Sequence, residues 1–280
     1  MHDRPYRSAL YIPASKGRAL EKARELPVDA ILFDLEDAVT PDAKVAARDT
    51  LFAALSEGEY GPRLRIVRIN GLDTEWGPDD AAAVAAMDCD GVLLPKVNST
   101  VDLDRLVALI PALPIWAMME TPAGVLNAAS IAMHPRLAGL VLGTNDLAKD
   151  LNSRGRQALM TSLQMCLLAA KAAGIIALDG VYNAFKDDDG LRAECREGRD
   201  MGFDGKTLIH PAQVAVANAA FGPTTDEIDL ARRQIAAFEA AEVAGQGVAV
   251  VDGRIVESLH IVTAQATLAK ADAIARLETT

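Results

Sequence analysis

A chain of 280 residues, half of them hydrophobic, carries enough apolar surface for one large domain or two small ones. Its formal net charge is −11 with no block rich in lysine or arginine, which argues against nucleic acid or an anionic membrane surface as partner and leaves any anionic substrate to a local basic pocket. No run approaches the ~20 apolar residues of a membrane span, Met1 to Arg7 is too polar for a signal peptide, and Cys89, Cys166 and Cys195 are too scattered for a disulfide frame, so a soluble cytoplasmic protein with reduced thiols is expected.

Ala9 to Ile12 reads as a short strand stopped by Pro13, and Ser15 to Leu26 has helical spacing, with Leu20, Ala23 and Leu26 on one face. Val28 to Leu35 is a second strand running into Glu36 and Asp37, with its helix over Pro41 to Leu55. Leu64 to Asn70 is a third, followed by Gly71 and an alanine-rich helix through 81–86; Gly91 to Lys96 is the fourth, with a helix from Ser99 to Leu109. The fifth, starting at Ile115 between Pro114 and Thr121-Pro122, is too short for a helix and stops on Glu120. Leu137 to Leu142 repeats that grammar and runs into Gly143-Thr144-Asn145-Asp146. After a helix through 163–172, Gly174 to Asp179 is the seventh strand and Phe203 to His210 the eighth.

Eight strand–helix units in this length predict a closed (β/α)8 TIM barrel over 1–222. An open doubly wound sheet is the alternative, but no strand is followed by GxGxxG or GxxxxGK[ST]. Residues 223–280 form an extension: a helix over Thr225 to Ala244, a break at Gly245-Gln246-Gly247, a hairpin around Asp252-Gly253 and a last helix from Leu259 to about Leu277. Such an appendage serves as a lid or a subunit contact, and Glu257 at the hairpin exit is its one acid placed for chemistry, or else a solvated helix cap.

Polar groups collect just past the apolar runs: Asp34, Glu36, Asp37, Arg68, Asn70, Lys96, Glu120, Asn145, Asp146, Asp179 and His210. In a barrel these all fall at the C-terminal face, where active sites are built. Parallel neighbouring strands end about 5 Å apart, so Glu120 and Asp146 can reach one small cation, and two carboxylates with water and substrate completing the shell suit Mg²⁺. Equally, Glu120 can cap a helix and Asp146 sit in an Asx turn. Arg68 is a planar fork for a carboxylate or a developing enolate oxygen, and Lys96 is better read as pairing with a strand-end acid than as catalytic. Asp37 and Glu36 would hold metal-bound waters. His210, before Pro211, is expected in a structural role first.

Leu10-Tyr11-Ile12-Pro13, Phe33 to Val39, Arg68-Ile69-Asn70-Gly71, Leu94-Pro95-Lys96-Val97, Met119-Glu120-Thr121-Pro122, Gly143 to Leu147 and Leu208-Ile209-His210-Pro211 together resemble the citrate lyase beta-subunit-like branch of the HpcH/HpaI aldolase superfamily. Within that branch, Asp73 to Gly77, Asp179 to Phe185 and the tail from Gly247 to His260 are most similar to the thioesterases acting on (3S)-malyl-CoA. The resemblance implies a Mg²⁺-dependent acyl-CoA enzyme, assembled as a homotrimer or homohexamer. Glu120 and Asp146 would fall on the metal ligands, with Glu120 also against the substrate. Arg68 would face the substrate carbonyl or enolate, with Asp37 beside it among the catalytic groups. Arg7, Lys16 and Arg18 would face the CoA phosphates. In the family's lyases the tail hairpin supplies an Asp that works across a subunit boundary; Glu257 stands in that place here, a candidate acid–base group. The expected reaction is hydrolysis of (3S)-malyl-CoA to malate and CoA; the alternative is a lyase on the same site, cleaving malyl-CoA, citramalyl-CoA or a citryl ester.

Overall fold

The computed structural model describes residues 4–245 and 247–278, so the expected helix break at Gly245-Gln246-Gly247 includes a residue outside the described set, as does the polar start Met1 to Asp3. The chain divides into two units, one over Tyr6–Asn218 and the other made of residues 4–5 and 219–278. In the first, eight parallel strands close into a barrel in sequence order. β1 (Ser8–Pro13) leads to α1 (Gly17–Ala23), β2 (Ala30–Asp34) to α2 (Lys44–Glu57), β3 (Leu64–Arg68) to α3 (Gly77–Val84) and β4 (Gly91–Leu94) to α4 (Thr100–Leu109). Then β5 (Ile115–Met119) is followed by the short α5 (Pro122–Leu126) and α6 (Ala128–Ala132), and β6 (Leu137–Leu142) by α7 (Thr144–Asp150) and α8 (Met160–Ala173). Finally β7 (Ile176–Asp179) leads to α9 (Asp188–Met201) and β8 (Gly205–Leu208) to α10 (Val214–Phe221). The (β/α)8 barrel is therefore present, with β2, β3, β4, β7 and β8 shorter than expected, β6 as expected and β1 one residue longer at each end.

Six of the eight strands, β2 and β4 to β8, are buried along their whole length, which is why most of them read as apolar runs; β8 instead buries Lys206 and Thr207. The barrel interior is packed around Trp116, with Tyr6, Leu32, Ile66, Leu93 and Leu178 in the same cluster. Its indole fits because both neighbouring strands carry a glycine beside it. A Cβ on Gly139 of β6 would stand 2.4 Å from the ring and one on Gly91 of β4 3.2 Å. The β5–β6 register shifts there, Ile115 pairing Leu137 and Trp116 pairing Gly139.

At the N-terminal face an aspartate directly precedes three of the even strands and reaches back to the strand before it. Asp29 accepts from the Arg7 backbone at 2.6 Å, Asp90 from Arg65 at 2.8 Å and Asp204 from Ala177 at 2.8 Å. Arg7 also donates its guanidinium to Asp29, at 3.0 and 2.9 Å. That corrects the expectation that Arg7 faces CoA: it is buried at the strand start, opposite the C-terminal rim, because a carboxylate there satisfies it.

In the other unit, Thr224 and Glu227 form a capping box at the start of α11 (Thr225–Val243). β9 (Ala249–Val251) and β10 (Arg254–Val256) pair antiparallel, with Asp252 and Gly253 both at positive φ, the turn a two-residue hairpin requires. α12 (Ser258–Glu278) follows, and Val251, Val256 and Ala241 pack with Phe238 and Ile261. Among the described residues no helix is long and apolar enough to cross a membrane, and all three cysteines are buried and unpaired.

Candidate active site

The loop after β2 is shaped by Asp34, whose carboxylate accepts the Glu36 backbone at 2.9 Å and the Ala38 backbone at 3.0 Å. The same carboxylate takes one edge of the Arg68 fork side-on, Nε at 2.7 Å and Nη2 at 2.6 Å. Arg68 Nη1 lies 3.0 Å from Glu36 Oε2, near enough for charge attraction though not aligned as a hydrogen bond, and 3.5 Å from Asp37. Burial alone would lower the Arg68 pKa, but Tyr11, Asp34 and Glu36 outweigh it and hold the guanidinium charged. The fork expected to await a substrate carboxylate or enolate oxygen thus has one edge occupied by the protein's own carboxylate.

Lys44 fixes this loop from behind, donating to the carbonyls of Leu35 at 3.0 Å and Glu36 at 2.9 Å, and Asn70 donates to Leu35 O at 2.9 Å. Lys96, at φ +52°, turns its backbone N–H onto Glu120 Oε1 at 2.8 Å while its ammonium meets Glu36 Oε1 at 2.8 Å and Asp146 Oδ2 at 3.8 Å. It pairs with acids from two other strand ends, as its sequence position suggested.

Glu120 is not a helix cap: Thr121 caps α5, accepting from Gly124 N at 3.0 Å, and the buried Glu120 side chain turns inward. Asp146 sits in the first turn of α7 with no Asx bond. Both line a cavity of about 330 Å³ with Tyr11, Asp34, Asp37, Arg68 and Met118. Burial first, then the charge of Glu36, pushes the Glu120 carboxyl up to about 7, against the pull of the Lys96 N–H. Glu36 is raised as well, by burial before anything else. Five carboxylates meet two cations here, so a divalent cation would relieve an uncompensated acid. Among the described residues no three such ligands form a closed cage, and Glu120 with Asp146 therefore suits an ion that keeps water, as Mg²⁺ does, better than one needing a full protein shell.

The other candidates separate. Lys16 is the N-cap residue of α1 and Arg18 lies in its first turn, just after β1, and both are exposed. His210 accepts from Ala212 N at 3.1 Å and stacks on Phe185 at 4.7 Å, a structural cap. Asp179 is buried and ion-paired with Lys206 at 3.0 Å and Arg156 at 3.0 Å. Glu257 belongs to the other unit, where it precedes α12 and its backbone N–H donates to His260 Nδ1 at 3.0 Å; its carboxylate has no hydrogen bond or ion pair among the described residues. Sequence reasoning did not single out Tyr11 or Met118, because both lie within apolar runs that signal only a strand.

A closed α/β barrel with an acid-lined cavity at the C-terminal ends of its strands defines a TIM-barrel enzyme. The chain belongs to the HpcH/HpaI aldolase/citrate lyase family, whose model matches residues 7–211. It is 65% identical over 274 residues to a (3S)-malyl-CoA thioesterase of Cereibacter sphaeroides, covering 97% of this chain and 96% of the relative. With citrate lyase subunit beta of Escherichia coli the identity is 34% over 285 residues, 96% of this chain and 94% of that one. The crystal structure of CitE from Mycobacterium tuberculosis with magnesium, acetoacetate and coenzyme A superimposes with a TM-score of 0.83 at 29% identity, covering 97% of this chain and all of that one.

Proposed function

We propose that this protein is a Mg²⁺-dependent acyl-CoA thioesterase that hydrolyses (3S)-malyl-CoA to malate and CoA. The observation that carries the reading is the near-full-length identity to an enzyme of that name, in a chain with an acid-lined barrel cavity. Glu120 and Asp146 would hold the metal, which would supply Lewis-acid polarisation to substrate oxygens. Arg68, immobilised by Asp34, keeps a positive charge beside the thioester oxygen. Asp37, largely exposed at the cavity wall, orients water at the mouth. Lys16 and Arg18 meet the CoA phosphates, and Glu257 is the acid–base group of the tail. The chain works in the cytoplasm as a homotrimer or homohexamer.

Incubation with malyl-CoA and Mg²⁺ tests the reaction. Free thiol without glyoxylate is expected; glyoxylate and acetyl-CoA without thiol would overturn hydrolysis in favour of the lyase. Full activity in EDTA would remove the metal from the scheme.

A further inference from the structure

We propose that the Tyr11 hydroxyl is a catalytic hydrogen-bond donor to the thioester oxygen of the substrate, an assignment that rests on the CoA-ester reading above. Tyr11 lies near the C-terminal end of β1, opposite Leu32, and lines the same cavity as Arg68 and Glu120. Its ring carries the Arg68 guanidinium at 4.8 Å, so the two side chains face the cavity as one stacked unit. The difference between them is commitment. Arg68 has Nε and Nη2 on Asp34, and its Nη1 donates weakly to Asp37 at 3.5 Å and to the Met118 sulfur at 3.6 Å. Among the described residues, the Tyr11 hydroxyl has only the Met118 thioether, at 3.8 Å.

A thioether is a weak acceptor, so the phenol gives it up at little cost for a carbonyl oxygen. Two other polar side chains on the wall are engaged: the Thr207 hydroxyl donates to Asp179 O at 3.0 Å, and Asn145 exchanges amide bonds with Asn183 at 3.3 and 2.7 Å. Burial, opposed by Arg68 and reinforced by Asp34, Glu120 and Glu36, raises the phenol above its ordinary range and keeps the proton it must share.

The donor is useful where charge develops. When water bonds to the thioester carbon, the carbonyl π pair moves onto oxygen. As the carbonyl re-forms, the carbon–sulfur bond breaks, and the departing thiolate takes up the proton that the attacking water gives up. Cleavage of the neighbouring C–C bond instead would place the released pair on that same oxygen as an enolate. Arg68 offers it a field and Tyr11 a free O–H.

Tyr11→Phe keeps the ring under Arg68 and removes the hydroxyl alone. In the Mg²⁺-loaded protein it should lower kcat for malyl-CoA by about 10²-fold, the usual effect of deleting one oxyanion donor. KM, the calorimetric Mg²⁺ affinity and the thermal midpoint should stay unchanged. A kcat equal to that of the unaltered protein overturns the assignment while leaving hydrolysis standing. A fall confined to KM, or one matched by lost Mg²⁺ affinity, overturns it as well. If the unaltered protein yields glyoxylate instead of thiol, hydrolysis fails but the same variant must still slow the lyase. If it turns over no CoA ester, both readings fall together.

Discussion

Lys96 is a lysine held where glycine is at home, its φ of +52° costing a side-chain-bearing residue about 1–2 kcal/mol. The return on that strain is directional. Only this backbone turn points the N–H at Glu120 Oε1 while the ammonium reaches Glu36, leaving Glu120 Oε2 without a protein donor. Glu120→Gln and Asp146→Asn should each cut hydrolysis by about 10²–10³-fold, the several kcal/mol that a metal supplies, and abolish calorimetric Mg²⁺ binding without lowering the thermal midpoint. Retained binding in both variants would show that these acids are not the ligands. Glu257→Gln separates the tail acid from them: turnover should fall while Mg²⁺ affinity holds, and an unchanged rate would make Glu257 a bystander.

Along the rim, consecutive loops interlock through glycines. A Cβ at Gly124 after β5 would lie 2.3 Å from Val97 O, one at Gly143 after β6 2.4 Å from the Glu120 Cβ, and one at Gly180 after β7 2.5 Å from the Thr144 side chain. Each loop therefore leans on the one before it, with no room for a methyl group. Gly143→Ala should cost about 1–3 kcal/mol of stability and most of the activity, because the backbone after β6 can only retreat by moving Asp146 or Glu120. Gly17→Ala is the control: nothing lies within 4 Å of its added methyl, and its unfolding free energy should be unchanged or up to about 1 kcal/mol higher. Equal denaturant midpoints for the two variants would dissolve the interlock. The alternation of elements was legible because most strands are buried on both sides and end abruptly on charge. α9 was not, since it is highly polar and hides only Leu191, Cys195 and Gly198 along one stripe. The three N-terminal aspartates left a signal, an Asp followed by a small residue at strand onset, that is visible once their acceptor role is known.

Over the molecule as a whole, the acids that give the −11 charge fall into groups with different duties. Sequence position told strand-end residues from the rest but not which of them would be consumed by one another. Glu120 and Asp146 do share a cavity, whereas Asp179, at an equivalent strand end, is locked to the fully buried Lys206 and to Arg156. Lys206 escaped notice because nothing in Gly-Lys-Thr-Leu distinguishes a buried ammonium from a solvated one. Burial pushes Asp179 up, yet Lys206 and Arg156 prevail and hold it below the usual carboxylate range. A carboxylate depressed in the folded state binds its proton more readily once unfolded. Its contribution is therefore complete above the ordinary Asp value of about 4 and fades as pH drops through the lower folded value. Asp179→Asn should remove about 1–3 kcal/mol at neutral pH, the worth of charge-assisted hydrogen bonds, since Lys206 keeps Glu194 at 2.6 Å and Arg156 keeps Glu197, and flatten the acid limb of stability against pH. Parallel limbs for the two proteins would assign acid sensitivity elsewhere.

The Asp34 clamp on Arg68 bears on how the site empties. A guanidinium gripped along its Nε/Nη2 edge offers a dicarboxylic acid no side-on bidentate seat, so malate, once severed from its carrier, meets a cation already half neutralised by an aspartate that never needs to touch the reactant.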